Sequence, residues 1–254
     1  VMVSSECAPV AKVGGLGDVV FGLSRELEIR GNSVEIILPK YDCMRYGEIW
    51  GLQVTYDDLW VPWDGGRVRC TVWFGFVHGR KCFFVEPHSP ERFFERGAYY
   101  GFPDEADRFA FFSRAALEFM WVTGKRPEVI HTHDWQTALV PVLLFEIYAA
   151  LGMADQRACH TIHNFRHQGH VGTDLLRRAG LGPPERFAAR DRLGDDSGSG
   201  AINLAGTVNG GQTLTVNTSG TTTFGGIVGG TTALTSVTTD AGGSTALNGD
   251  GEST

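Results

Sequence analysis

Apolar and polar positions alternate along this chain in blocks whose period changes, and each change predicts an element. A compact apolar run at Val1 to Ser5 predicts a short buried strand, and Gly17 to Arg30 predicts a helix with Val19, Val20, Leu23 and Leu27 on one face. Gly31-Asn32 stops that helix, and Ser33 to Pro39 predicts the next buried strand. Strand, glycine loop, helix and strand make a βαβ unit, which implies a parallel sheet. From Gly51 to Glu86 the pattern becomes alternating β-branched and aromatic residues, broken by Asp64-Gly65-Gly66 and His78-Gly79-Arg80. That block is expected to be a hairpin insertion or a set of edge strands. Phe93 to Gly101, aromatic and irregular, is expected as a surface flap. Asp104 to Thr123 predicts a helix whose Phe109, Phe112, Ala116, Phe119 and Met120 repeat at helical spacing as a core stripe. Val129 to His133 then predicts a strand running into a helix over Gln136 to Ala150, with Leu139, Leu143 and Ile147 apolar, and Ala158 to Ile162 predicts a further strand.

Composition divides the chain in two. All 22 Lys and Arg and all five Cys lie before Asp196, whereas Ser197 to Thr254 contains no Lys, Arg, Cys or His. The expected organisation is a domain over 1–195, a flexible Ser/Gly joint over 196–200 and a tail over 201–254. In the tail, short Thr/Val/Leu runs are separated by Gly-Gly or Asn-Gly turns, as in Gly206 to Val216 and Thr221 to Gly230. This suits β-solenoid coils, with a disordered Gly/Thr tail as the alternative.

The net charge of −7 and the lack of a basic stripe with interleaved aromatics argue against broad nucleic-acid binding. The cysteines are odd in number and widely spaced, and read as small buried hydrophobes in a reducing compartment. No apolar run reaches the length of a membrane span, and no signal-peptide pattern is present, so no membrane partner is expected. Val1 already lies inside the first strand, and the natural start is expected a few residues upstream.

Three strands each finish in a polar cluster: Lys12 with Gly14 and Gly15, then His133-Asp134, then His163-Asn164. Ligands of open parallel sheets bind in the crevice beyond the carboxyl ends of the strands. Lys12-Val13-Gly14-Gly15-Leu16-Gly17-Asp18 ahead of a helix suits a phosphate, since adjacent glycines let the backbone turn sharply and approach a ligand while the helix end points N–H groups at it. The same residues also suit a tight turn with a surface lysine. His131 and His133 are expected on opposite faces of their strand, with His131 a buried, hydrogen-bonded residue. Asp134 reads either as a site carboxylate or as the N-cap of the next helix, and His163 and Asn164 as site or turn residues. The histidines lack a standard zinc-ligand spacing, and no G-x-S-x-G elbow supports a Ser hydrolase.

Ser4-Ser5-Glu6-Cys7-Ala8-Pro9, the Lys12 to Val19 loop, His131-Thr132-His133-Asp134-Trp135-Gln136-Thr137-Ala138 and Thr161-Ile162-His163-Asn164 resemble, in order and spacing, the N-terminal catalytic domain of bacterial glycogen synthases and plant or cyanobacterial starch synthases, glycosyltransferase family 5. The segment from Phe94 to Arg114 and His163 to Gly169 are most similar to the cyanobacterial or algal branch. The resemblance spans Val1 to about Asp195.

It implies the α/β, Rossmann-like N-terminal half of a GT-B fold and transfer of glucose from ADP-glucose to the non-reducing end of an α-1,4-glucan, with retention and without a metal or other cofactor. It places Lys12, Gly14 and Gly15 on the donor diphosphate. His163 and Asn164 fall at the glucose subsite with Asp134 beside it, and Glu6 and Asp18 nearer the acceptor and loop. Cytoplasm, or plastid in an alga or plant, is the implied compartment. Where the family carries its second half, this chain carries the tail, which resembles bacterial adhesin repeats and alone would suggest the cell surface. The chain by itself is therefore expected to turn over little or no substrate. A non-catalytic glucan-binding or surface-displayed module is the alternative, and a different nucleotide-sugar transferase such as a sucrose synthase is weakened by the joint presence of the glycine loop and the His-Asp-Trp motif.

Overall fold

The computed structural model describes residues 1–164, 167–169, 171–182, 202–204, 206–216, 221–239 and 244–248. The Ser/Gly joint and the 195/196 boundary expected from composition lie outside these residues. The chain separates into two units, Val1–Gly182 and Pro183–Thr254.

The first unit is one seven-stranded sheet flanked by helices, with strand order β3-β4-β5-β2-β1-β6-β7. Its strands are β1 (Met2–Val3), β2 (Glu35–Pro39), β3 (Ile49–Trp63), β4 (Gly66–Val77), β5 (Arg80–Pro87), β6 (Val129–His133) and β7 (Arg157–Thr161). β1 pairs in parallel with both β2 and β6, and β6 pairs in parallel with β7. The chain therefore leaves β1 toward β2 on one side and returns on the other through β6, which puts a topological switch point between β1 and β6.

Of the two expectations for the Gly51 to Glu86 block, the edge strands hold and the hairpin insertion does not. β5 pairs in parallel with β2, and β4 and β3 extend the same sheet antiparallel beyond it. Alternation alone cannot distinguish a separate hairpin from strands that join an existing edge. Helix α1 (Gly15–Ile29) begins two residues earlier than its apolar pattern suggests, on the glycines themselves. Val20 is fully buried on its inner face, whereas Val19 is exposed.

Helix α2 (Glu105–Val122) is enclosed on all sides, buried at every residue from Arg108 to Met120, so its five-residue stripe understates its burial. The aromatic segment before it is not a surface flap. Phe93 and Phe94 are 2% and 1% exposed, their rings packing against Phe111 and Phe109 of α2. The buried Arg108 ties the segment down, its Nε donating to the Phe93 carbonyl at 2.5 Å and its Nη2 to the Tyr99 carbonyl at 3.3 Å.

The helix expected over Gln136 to Ala150 is present but changes pitch along its length, from a 3-10 turn (Trp135–Thr137) through α3 (Leu139–Leu143) to wider π-type turns over Leu144–Met153, and its backbone leaves helical geometry only at Leu151 and Gly152. The stretch Trp135–Met153, 19 residues with mean hydropathy 1.5, does have the length and apolarity of a membrane span, contrary to the expectation from sequence. Here its Val140, Leu143, Leu144, Tyr148 and Met153 are buried in the fold. The five cysteines are free; Cys7, Cys70 and Cys82 are buried, but Cys159 on β7 is exposed, so the buried-hydrophobe reading fails there.

In the second unit, the described tail residues form parallel strands, not a structureless tail. β8 (Ile202–Leu204), β10 (Thr221–Phe224) and β12 (Ser244–Leu247) make one ladder, and β9 (Thr213–Val216) with β11 (Ser236–Thr239) another. Hydroxyls 23 residues apart stack across successive coils, Thr221 on Ser244 at 2.9 Å and Ser236 on Thr213 at 3.3 Å. Val208, Val216 and Phe224 fill the interior with Leu204, Leu214, Val228 and Leu234 packed around them, the layout of a solenoid.

Candidate functional site

Beyond the carboxyl ends of β1, β6 and β7 the chain encloses a crevice of about 720 Å³. Glu6, Gly14, Gly15, Tyr100, Asp134, His163 and Asn164 line it together. Because these three strands are neighbours, polar groups just past their ends can meet at one place.

Neither Gly14 nor Gly15 uses left-handed backbone, and Gly14 has φ −129°. What the glycines provide is space, since a Cβ added at Gly14 or Gly15 would meet nothing within 4 Å. Gly17 differs, packed so closely that a Cβ would sit 3.2 Å from the Ala8 backbone nitrogen. The loop's amides are partly committed. Glu6 Oε2 accepts from Val13 N–H at 2.7 Å and Gly14 N–H at 3.1 Å, which leaves the first-turn amides of α1, beginning at Gly15, without an intrahelical acceptor. Lys12 and Asp18 pair with each other at 2.8 Å on the outer side of the loop and do not line the crevice.

At the end of β6, Asp134 holds φ 54° and ψ −178°, backbone space that a non-glycine residue seldom enters. It is not an N-cap: its side chain makes no cap bond to the following turn. Its carboxylate instead accepts the backbone N–H of His163 at 2.6 Å, while its own N–H donates to the Thr161 carbonyl at 2.8 Å. Thr137 does the local bracing, accepting the His133 N–H at 2.7 Å and donating to the His133 carbonyl at 2.8 Å.

His131 and His133 do not point to opposite faces. Side chains two apart on a strand share a face, and these rings sit 4.2 Å apart. His131 is hydrogen-bonded to Thr161 Oγ1 at 2.7 Å, as expected, but is half-buried and not buried. His133 Nδ1 lies 3.1 Å from His163 Nε2. Burial, then the neighbouring imidazoles of His131, His163 and His160, lower the pKa of His133 to about 3, and burial likewise lowers those of His131 and His160. Among the described residues no group of three or more His, Cys, Asp or Glu is arranged to hold a metal ion.

Over residues 1–219 the sequence matches the starch synthase catalytic domain. The chain belongs to that family. Glycogen synthase 2 of Methylococcus capsulatus is 67% identical over 202 residues, covering 80% of this chain and 42% of that protein. Glycogen synthase 1 of Synechococcus sp. (strain JA-3-3Ab) is 61% identical over 204 residues, again 80% and 42%. The catalytic domain of starch synthase IV from Arabidopsis thaliana, solved with ADP and acarbose, superposes with a TM-score of 0.70 at 46% identity over 71% of this chain and 37% of that one. This starch synthase family chain thus spans about two-fifths of the glycogen synthases it matches, while the family match carries no likeness of the tail to adhesins.

Sequence reasoning missed Tyr100. Its hydroxyl lies 3.0 Å from Ser5 Oγ and donates to Glu6 Oε1 at 2.8 Å, so the aromatic segment before α2 closes one wall of the starch synthase crevice. Burial and then the Glu6 carboxylate push the Tyr100 phenol well up, so it serves as a neutral hydrogen-bond donor. The only available signal was Tyr99-Tyr100-Gly101, a polar-tipped aromatic pair ahead of a glycine, in a segment otherwise built of core-type rings.

Proposed function

We propose that this chain forms the acceptor-side half of an ADP-glucose-dependent glycogen or starch synthase, which transfers glucose to the non-reducing end of an α-1,4-glucan with retention. The observation that carries this reading is the convergence of Gly14, Gly15, Asp134, His163 and Asn164 on one crevice at the β1/β6 switch point. The free amides at the start of α1 receive the donor diphosphate, and charge building on the departing ADP is stabilised by groups already in place. Lys12 joins them only by exchanging its Asp18 partner for phosphate. His163 and Asn164 line the glucose subsite, with the Asp134 carboxylate beside an anomeric centre that becomes oxocarbenium-like. The reaction needs no metal, and the work is done in the cytoplasm or plastid without nucleic acid or membrane.

Titrating ADP-glucose into the isotopically labelled chain tests this. Resonances of Gly14, Gly15 and His163 are expected to move while those of β9 and β11 stay put; no movement at millimolar donor overturns the reading. With glucan primer present, residues 1–254 alone are expected to give little or no turnover, because they span only about two-fifths of the glycogen synthases they match. Normal turnover would refute that second point.

A further inference from the structure

We propose that His133 is a positioning residue for His163: its Nδ1–H donates to His163 Nε2 and so obliges His163 to carry its own proton on Nδ1, offering the crevice an N–H group in place of a bare nitrogen. Two imidazole nitrogens 3.1 Å apart must share one proton, because two lone pairs or two N–H groups facing each other repel. Either His133 donates or His163 does.

The far side of the His133 ring decides between them. His133 is fully buried, and its Nε2 has no hydrogen-bond partner among the described residues. Were His163 the donor, the proton of a neutral His133 would sit on that Nε2, burying a donor with nothing to receive it. With His133 donating, the orphan is only a lone pair, the cheaper of the two defects. A doubly protonated His133 is excluded by its depressed pKa.

Nearby groups do not offer an escape. His131, whose ring lies against that of His133, is engaged with Thr161 Oγ1, and His160 Nδ1 is engaged with Thr132 Oγ1 at 2.8 Å. The ring has no room to swing away, since His133 is fully buried and its ring is packed 4.2 Å from that of His131. A neutral His163 with its proton on Nδ1 is a hydrogen-bond donor toward a hydroxyl or ring oxygen. It is not arranged as a general base. The identity of that oxygen as a sugar's rests on the function proposed above; the tautomer does not.

The test is the imidazole ¹⁵N spectrum of the full 254-residue chain at pH 7.5. His163 is expected with Nδ1 in the protonated range and Nε2 in the bare range. In His133→Phe the ring should revert to the Nε2–H form that free imidazole side chains prefer, whereas His133→Asn, whose amide can donate in place of Nδ1–H, should keep Nδ1–H. Apparent affinity for ADP-glucose should fall about tenfold in His133→Phe and stay within about threefold in His133→Asn. Wild-type His163 protonated on Nε2, or a His133→Phe spectrum identical at His163, would overturn the proposal. If His133→Phe does not fold, the wild-type tautomer and the His133→Asn spectrum decide alone. The predicted tautomer with no response of His163 to ADP-glucose would sink the sugar-nucleotide reading and leave the positioning role standing.

Discussion

Replacing Glu6 by alanine removes a side chain that joins the glycine loop to the aromatic wall of the crevice. Glu6 is 4% exposed; Oε2 accepts the Val13 and Gly14 amides, and Oε1 accepts the Tyr100 hydroxyl at 2.8 Å. Three hydrogen bonds to a carboxylate at about 1.5–3 kcal/mol each would total roughly 5–9 kcal/mol. Most of that is recovered. Gly14 and Val13 border the open crevice, where water can take the vacated acceptor position at little cost, and Tyr100 keeps Ser5 Oγ at 3.0 Å. The expected global loss is therefore about 2 kcal/mol, with a larger local loosening of the loop.

Glu6→Gln separates shape from charge. Its amide oxygen can accept both loop N–H groups and its NH₂ can donate to Tyr100, so the expected loss is about 0.5–1 kcal/mol. Urea midpoints followed by Trp fluorescence give the global term, and hydrogen exchange at Val13, Gly14 and Tyr100 gives the local one. Exchange at Val13 and Gly14 should accelerate at least tenfold in Glu6→Ala and much less in Glu6→Gln. An alanine variant with wild-type midpoint and wild-type exchange, or a glutamine variant as damaged as alanine, would show that the carboxylate does not hold the loop.

Gly14→Ala should fold within about 0.5 kcal/mol of wild type, because its Cβ enters open space, yet weaken ADP-glucose binding at least tenfold by occupying that space. Gly17→Ala should instead cost about 1–3 kcal/mol, since its Cβ would press on the Ala8 backbone, and thermal melts of the two variants compare them directly. Folded His133 resists protonation down to about pH 3, whereas the unfolded residue titrates near its ordinary value of 6.5. The resulting penalty is absent above about pH 7 and grows by up to about 1.4 kcal/mol per pH unit as pH falls below 6.5, a slope that urea titrations from pH 7.5 to 5 should record and His133→Asn should reduce. Phe224→Ala, which empties the solenoid interior at a residue 1% exposed, should cost the second unit about 3–5 kcal/mol while leaving near-UV melting of the tryptophan-containing first unit unchanged.

How much of this was legible in the sequence depended on whether the relevant contact was local. The three strand-end clusters could be read because short apolar runs mark β1, β6 and β7, and parallel neighbours bring their carboxyl ends to one edge. The pairing of β5 with β2 could not, because a period of two reports which residues share a face and says nothing of the strand alongside. That same period, properly applied, does put His131 and His133 together. Tyr100 meets Glu6 across 94 residues of chain, and its segment's buried phenylalanines look, residue by residue, like any aromatic loop. Likewise the apolar Trp135–Met153 stretch reads as a helix, but its apolarity does not fix which face is covered, and Val140, Leu144 and Tyr148 are buried where regular spacing favoured Leu139 and Ile147.

Asp134 is where sequence rules and site requirements part most clearly. After a strand and before a helical turn, aspartate is a preferred N-cap, and capping would stabilise the chain by about 1 kcal/mol. This aspartate forgoes that bond and holds a conformation at φ 54° that costs about 1–3 kcal/mol for a residue with a side chain. Local energetics therefore run against the observed geometry twice. What offsets the cost is cross-strand: the Asp134 N–H bonded to Thr161 of β7, and its carboxylate on the His163 backbone just past that strand. Both contacts tie the ends of β6 and β7 together at the crevice, and neither is needed to form either strand. A glycine would adopt this backbone freely but could not reach His163, and an aspartate in relaxed backbone would cap the turn and leave the His163 amide unmatched. Strain accepted at one residue thus fixes the position of the next strand's site residues, with His133 setting the His163 ring from one side and Asp134 its backbone from the other.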